Sequence, residues 1–540
     1  MTTIATTDRS PVGNIPNGIS NILLKPSFLA SPLKNRNKVS GLSLQIKKHF
    51  NQNFKTMKHS YLTLIILLTA IPFCQSVAQT SYNSKRETIG SFNCNKEIVC
   101  DHASRYIVTY SHNMSSNTRH YFTVQDMHNN IIKQVPLNIG YDPITPTISP
   151  ITRYEINDMK VGDLNYVYFC GSRQIITVSP TYTSVSVGFI GRFSLTDALG
   201  SGGNVEIFFI DGTTAFGKIE PRGSLNQVFA VGSTDVFDIF SNTYYSCLVG
   251  LEYDNQSSSW KYDLVEPSNL TERFTDVAFS GGIIVSSRFI NNNYLIGIRH
   301  TKNGPLCDPE NYSLLSNCNL YDMQNVVTPG GVAVAFRKEN DPILLASRGG
   351  NVTMAHSCYN IASGIAAYEI YLADLGDARI SQIRYLPSTN YVTLKNINLS
   401  FNHATAFFLA NDATAHNDLI PAITWTSTPS LCPTRTISNS SDMKCQGLSR
   451  FYKSNYEYIY VGGCGSSSNN PAYYAQRNTS LTSLCLPAPA LYFTTNLTVP
   501  AYTVNPTMTI NNLSCGRAIS STLIQPFTPV AVTPTTTCNY

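Results

Sequence analysis

The residues that could do chemistry are few and scattered. Asp412, His416 and Asp418 crowd one short segment, and two carboxylates beside an imidazole could hold a hard cation through oxygen. A solvated turn accounts for the same cluster. Trp260 and Tyr262 alternate in SSSWKYDL, where two aromatics on one strand face form a platform on which a sugar ring can stack. Packing of that face is the plainer explanation. His112 and His120 flank the segment from Asn113 to Arg119. GSGGN, Gly200 to Asn204, lacks the lysine of a phosphate loop and a following helix, so it reads as a flexible turn. FIDGTTAF, Phe209 to Phe216, carries an Asp-Gly hairpin signal. It occurs once, whereas a sialidase would repeat S-x-D-x-G-x-T-W. No G-x-S-x-G, H-E-x-x-H, E-x-x-H or C-x-x-C pattern is present. The sequence thus points to no catalytic residue, no metal set beyond the Asp412 cluster, and no cofactor.

Which residues belong to the folded protein depends on Met57 to Gln79, MKHSYLTLIILLTAIPFCQSVAQ. Lys58 and His59 open it, an uncharged run of about thirteen residues follows, and Ser76-Val77-Ala78 ends it with small residues. This is the order of a secretory signal, with cleavage expected between Ala78 and Gln79. The run is shorter than the ~20 residues that span a membrane core, and an uncleaved anchor is the alternative. Cys74 follows Ile71-Pro72-Phe73, not a small residue, which speaks against lipidation. Residues 1–56 are then either over-extended translation or the cytoplasmic tail of a type II anchored protein. Residues 1–60 hold nine Lys or Arg and one acid, Asp8, hence +8; the whole chain is +5, so the remainder is −3. The basic character is confined to the start, and no nucleic-acid partner is implied.

The chain beyond the signal, about 460 residues, is rich in Tyr, Thr, Ser, Asn, Val and Ile. Such a composition favours strands and turns over long exposed helices. Fourteen cysteines include Cys74, leaving thirteen. Export would permit disulfides, and Cys94 with Cys100, Cys307 with Cys318, and Cys432 with Cys445 are near enough in sequence to close small loops. Cys170 and Cys247 lie in apolar runs and read as buried thiols. About ten N-x-S/T sequons, Asn113, Asn255, Asn269, Asn351, Asn398 and Asn496 among them, would carry glycans only in a eukaryotic or viral secreted chain.

One pattern recurs: a short apolar strand, a turn of Gly, Asp, Ser or Asn, then a stronger alternating strand. It is clearest in INDMKVGDLNYVYFCGSR from Ile156, FTDVAFSGGIIVSSRF from Phe274, ISQIRYLPSTNYVTLKNI from Ile380 and LSRFYKSNYEYIYVGGCG from Leu448. Fainter copies near 224 and 328 give a spacing of about 50 to 70 residues. RYIVTYS and RHYFTVQDM, from Arg105 and Arg119, supply another set. Blades of four strands need ~40 to 50 residues plus loops and bury their faces only against neighbours. The pattern predicts an all-β, β-propeller-like fold of six or seven blades over 79–485, with tandem β-sandwiches as the alternative. Residues 486–540, rich in Pro and Thr, read as a tail or a small strand-rich extension.

The phrases EINDMKVGDLNYVYFCGS, VGFIGRF, FTDVAFSGGIIVSSR and NYLIGIRH, with the start at Met57, resemble a group of uncharacterised exported proteins of gut Bacteroidales. The resemblance covers roughly residues 57–465. It implies an exported, propeller-like protein and carries no catalytic residue. Three functions stand open. The first is a non-catalytic binding or surface-interaction protein, whose loops meet a glycan or a surface protein. The second is a secreted polysaccharide hydrolase or lyase, which would need paired carboxylates facing the channel. The third is a type II viral attachment glycoprotein with a propeller head, which the absence of heptads after residue 79 disfavours.

Overall fold

Alternating apolar and polar residues, rich in β-branched and aromatic types and broken by turn residues, produce strands along nearly all of the described residues. The computed structural model describes strands from Ser84 to Asn539, with side chains described chiefly from Tyr106 to Phe279 and from Ser514 to Pro526. The expectations for residues 1–78, and the cleavage point at Gln79, lie outside the described residues.

After β1 (Ser84–Thr88), the strands fall into antiparallel sets. Blade 1 is β2 (Cys94–Cys100), β3 (Tyr106–His112), β4 (His120–Asp126) and β5 (Ile132–Leu137). Blade 2 is β6 (Ile151–Val161), β7 (Tyr166–Thr177), β8 (Thr183–Ser194) and β9 (Asn204–Phe209). Blade 3 is β10 (Thr213–Arg222), β11 (Gln227–Asp238), β12 (Thr243–Asp254) and β13 (Ser259–Pro267). Blade 4 is β14 (Glu272–Phe279), β15 (Ile283–Phe289), β16 (Leu295–Thr301) and β17 (Tyr312–Asn319). Blade 5 adds a hairpin of β18 (Gln324–Val327) and β19 (Ala333–Lys338) to β20 (Leu344–Arg348), β21 (Asn351–Tyr359), β22 (Ala366–Asp374) and β23 (Arg379–Ser388). Blade 6 is β24 (Val392–Leu399), β25 (Thr405–Asp412), β26 (Asp418–Thr424) and β27 (Leu431–Thr436). Blade 7 is β28 (Met443–Lys453), β29 (Tyr456–Gly465) and β30 (Ala472–Arg477), completed by β1 from the start of the chain.

The first strand of each blade packs beside the first strand of the next: β2, β6, β10, β14, β20, β24, β28, and back to β2. That closed circuit makes the fold a seven-bladed propeller-like ring. Blades 1 and 7 share one sheet through a single register pair, Cys94 opposite Cys464. The phrase starts near 156, 274 and 448 fall in first strands. The one near 380 straddles a boundary, since β23 ends blade 5 and β24 begins blade 6. The one near 224 lies at the turn into a second strand.

The segment from 486 onward is strand-rich, but it is not an extension of its own. β31 (Ala490–Phe493) pairs with β27, β32 (Thr495–Leu497) with β23, and β33 (Ile510–Ala518) with β13. β34 (Ser521–Pro526) pairs with β9, β35 (Val530–Val532) with β5, and β36 (Thr535–Asn539) with β1. The tail thus runs backwards around the ring and adds an outer strand to blades 6, 5, 3, 2, 1 and 7. Cys515, on β33, is disulfide-bonded.

Between blades 1 and 2 the core is aromatic. Phe122 packs against Phe169 at 4.8 Å and Phe193 at 4.7 Å between ring centroids, with all three buried. Gly191 makes room for this: a Cβ there would lie 2.2 Å from Phe169 Cζ. A short helix, Leu195–Leu199, follows β8, capped at its start by the Ser194 hydroxyl accepting from the Asp197 N–H. The Lys133 ammonium donates to the Leu199 carbonyl and ties blade 1 to that helix.

Candidate functional site

Two places in blade 3 combine unusual residues: the seam where its first strand meets those of blades 2 and 4, and the end of its β11–β12 hairpin.

The seam begins with a repeated irregularity. β6 skips Asn157, β10 skips Gly217, β14 skips Thr275, β24 skips Lys395 and β28 skips Gln446 in pairing with the second strand. A bulge of this kind adds one residue, bends the strand and re-aims the side chains beyond it. After each bulge stands a polar residue or glycine, then an apolar one: Asp158-Met159, Lys218-Ile219, Asp276-Val277, Asn396-Ile397, Gly447-Leu448. All five apolar residues are buried, at 4% exposure or less. Their backbone N–H groups then need acceptors away from water. In blade 4 the Asp276 carboxylate accepts from the Val277 N–H at 2.8 Å, and in blade 6 the Asn396 carbonyl accepts from Ile397 at 2.8 Å. Lys218 has no acceptor to offer. There the Asp158 carboxylate of blade 2 reaches across and accepts from the Ile219 N–H at 3.0 Å. Beside it the Asn157 amide donates to the Phe216 carbonyl at 2.8 Å. Blade 2 therefore supplies what blade 3 lacks.

Charges gather on the same strands. Burial would lower the Lys160 ammonium, but Asp158, Glu220 and Asp276 outweigh it and raise it, against Lys218. Burial pushes Glu220 up to about 7; Lys160 opposes this, while Asp276 and Asp158 add to it. Three carboxylates and two ammonium groups thus share one seam, and Glu220 is the group poised to change charge near neutrality.

The hairpin end is the opposite. Val236 is 52% exposed, Phe237 44%, Ile239 82% and Tyr244 46%. Phe237 and Tyr244 pack edge to face with centroids 5.0 Å apart, which gives the tip a defined apolar surface. Asp235 and Asp238 flank it. Sequence reading passed over this tip because alternation in β11 matches that of any strand; only exposure separates it.

The residues singled out from sequence are dispersed. Tyr262 is 2% exposed and belongs to the core between blades 2 and 3, so it offers no stacking face. Trp260 packs on Phe208 at 4.9 Å and Tyr253 at 5.4 Å, and the Arg192 guanidinium covers its ring at 4.5 Å. Arg192 also pairs with Glu206 at 2.5 Å and lies over Tyr166 at 4.7 Å. The aromatic pair in SSSWKYDL is therefore packing, not a sugar platform. Asp412 ends β25 and Asp418 begins β26, flanking a hairpin turn in blade 6; His416 lies outside the described residues. Asp211-Gly212 does turn the chain, with Gly212 at φ +77, but it joins blade 2 to blade 3 instead of closing a hairpin. The Ser520 hydroxyl meets the Asp211 carboxylate at 2.8 Å and holds the tail against that turn.

Cys94 and Cys100 stand at the two ends of β2. Six residues of strand put their Cα atoms roughly 20 Å apart, against about 7 Å for the widest disulfide, so this loop does not close. Cys318 lies on β17, while Cys307 falls outside the described residues. Cys432 is on the last strand of blade 6 proper and Cys445 on the first of blade 7. Cys170 and Cys247 are buried thiols as expected, and burial raises the Cys247 thiol further. Among the described residues no three His, Cys, Asp or Glu side chains form a metal-holding group, and no helix is long and apolar enough to cross a membrane.

No protein-family model matches the chain, and no curated protein matches it. Among solved structures it is similar to a Trypanosoma rangeli sialidase in complex with the inhibitor DANA, at 8% identity and TM-score 0.35, covering 73% of this chain and 60% of that one. It is also similar to the polysaccharide lyase Uly1, at 6% identity and TM-score 0.36, covering 73% of this chain and 91% of that one. The chain thus spans about 60% of the sialidase's length. Neither similarity assigns it a substrate or a reaction.

Proposed function

We propose that this is an exported, non-catalytic interaction protein that presents the β11–β12 tip of blade 3 to a protein surface. The observation that carries the reading is the exposed group Val236, Phe237, Ile239 and Tyr244 on one hairpin end. Large apolar side chains clustered in water are a contact surface in a stable protein. Two aliphatic residues beside two aromatic ones suit an apolar protein patch better than a sugar, and the exposed Asp235 at its edge favours a partner with a basic rim. The signal-like stretch at Met57 to Ala78 is what supports export.

The test is site-specific photocrosslinking in the cells that make the protein. A benzophenone side chain replaces Phe237 in one variant and Ile524, which is 56% exposed on β34, in another. A discrete protein adduct from 237 alone is expected. No adduct from 237, equal labelling from both positions, or an adduct to glycan alone overturns the reading.

A second reading is favoured by Glu220, the near-neutral carboxyl with Asp158 and Asp276 about it. A polysaccharide hydrolase or lyase could use such a group as general acid. Release of reducing ends from a polysaccharide panel, abolished by Glu220→Gln, would establish it.

A further inference from the structure

We infer that Cys94 and Cys464 form a disulfide that clasps blade 1 to blade 7, because the strand register sets these two positions directly opposite each other across the described pair that joins β2 to β29. Residues opposite one another in an antiparallel pair have Cα atoms about 4.5 to 5.5 Å apart, inside the 4.4–6.8 Å range of disulfides, and they share a sheet face. Cysteine occupies 14 of 540 positions, so its presence on both sides of this one pair is not what composition supplies.

The place is informative. A closed ring must be sealed where the chain's two ends meet, and blade 7 is built from both: β28 to β30 from late in the chain, β1 from its start. β1 pairs on one side with β30 and on the other with β36. These contacts join strands hundreds of residues apart, so the unfolded chain gives up a long loop to make them. A covalent bond between 94 and 464 closes a loop of that size and lowers the entropy of the unfolded chain accordingly. It also fixes blade 1 against blade 7 on the inner side of the ring, while the tail strands β35 and β36 act on the outer side.

Formation is a two-electron oxidation. The two thiols lose two protons and two electrons to a disulfide oxidant such as oxidised glutathione, which leaves as two molecules of reduced glutathione, and one S–S bond forms. One competing use of these residues exists. His112 lies opposite Cys94 on β3, and His120 opposite His112 on β4, so the register row runs Cys464, Cys94, His112, His120. Thiolates and imidazoles are also zinc ligands.

The experiment uses the full chain, purified and equilibrated with oxidised and reduced glutathione, alkylated, and digested with trypsin without reduction. Cleavage at Lys96 separates Cys94 from Cys100, and the peptide from Ser454 to Arg477 holds Cys464 alone. A linked peptide pair, Glu87 to Lys96 joined to Ser454 to Arg477, is expected, two hydrogens lighter than the sum. It should be lost on reduction and absent from Cys464→Ser. Limited proteolysis of the oxidised unaltered chain should be at least several-fold slower than that of oxidised Cys464→Ser, in which the Cys515 disulfide is retained. Alkylation of both cysteines in the oxidised folded chain, a link from Cys94 to any other cysteine, or a zinc ion retained in native mass spectrometry and lost with Cys94→Ser overturns the assignment. The mapping on the unaltered chain decides the matter even where the variant fails to fold. It is also independent of the contact proposed for the blade 3 tip.

Discussion

Blade 3 gathers charge along its half-buried first strand, against the buried Asp158 and Asp276 of its neighbours, and exposes apolar side chains at its far hairpin end. At the first strand Lys218 and Glu220 sit among Lys160, Asp158 and Asp276, and the Asp158 carboxylate is 3% exposed. At the hairpin end Ile239 is 82% exposed. A solubility rule alone would have placed these residues the other way round. The inversion has a cause at each end. A bulged strand next to the ring axis leaves backbone N–H groups that only a side chain can satisfy, and Asp158 does this for Ile219. At the tip, where β11 is also irregular, the Thr234 hydroxyl accepts from the Val236 N–H at 3.3 Å, so the exposed apolar side chains there are not what satisfies the backbone. Buried polarity reads as architecture, and exposed apolarity reads as contact.

The sharpest break would come at the bulge itself. Gly171 lies opposite Ile156, just before the bulge in β6, and a Cβ there would stand 1.7 Å from the Glu155 carbonyl oxygen. Backbone cannot yield as a flexible side chain can, so Gly171→Ala should cost more than about 3 kcal/mol, read as a fall in urea midpoint. Asp158→Ala strands the Ile219 N–H and removes a counter-charge from Lys160. A loss of about 3 kcal/mol is expected. A loss below about 1 kcal/mol would mean that the cross-blade bond carries little.

The repeat offers a finer test. If Asp158 only substitutes for an acceptor that Lys218 cannot be, then Lys218→Asp should supply that acceptor locally, as Asp276 does for Val277. The double variant Asp158→Ala with Lys218→Asp should therefore be more stable than Asp158→Ala alone by about 1 kcal/mol, the net worth of one hydrogen bond. Additive losses would break the analogy between blades 3 and 4.

The pH dependence of the seam follows from Glu220. Its folded value of about 7 lies above the ordinary 4.5, so the folded state holds the proton more tightly than the unfolded one. The stabilisation from this group is full below about 4.5, falls as pH rises towards 7, and is gone above that. Thermal midpoints of the unaltered chain should therefore decline between pH 5 and 8 relative to those of Glu220→Gln. Parallel curves would show that burial of Glu220 does not control the seam.

Much of this fold was legible in the sequence, and the reason is local. The IND-M and FTD-V phrases are the bulge itself written out: an extra residue, an acceptor, then a buried apolar residue. The hairpins at 156, 274 and 448 follow from turn residues a few positions away. What was not legible depends on partners far along the chain. The tail strands are as short as Thr495–Leu497 and pair with strands well outside their local sequence, from Thr434 opposite Ala490 to Lys85 opposite Asn539, so no local pattern could separate them from a linker. The Cys94–Cys464 opposition is of the same kind; proximity in sequence suggested Cys100 instead. For the candidate sites the failure was different. Trp260 and Phe237 are both strand aromatics, and only the neighbouring blade, with Arg192 and Phe208 over Trp260, decides which is core and which is surface.

The most direct test of that division is the urea unfolding midpoint of the double variant Phe237→Ser with Ile239→Ser. If the tip serves contact and not folding, the loss should stay within about 1 kcal/mol, as for substitutions at exposed positions. A loss of about 3 kcal/mol, the scale expected for breaking the buried Asp158 tie, would contradict the account and place the tip within the fold.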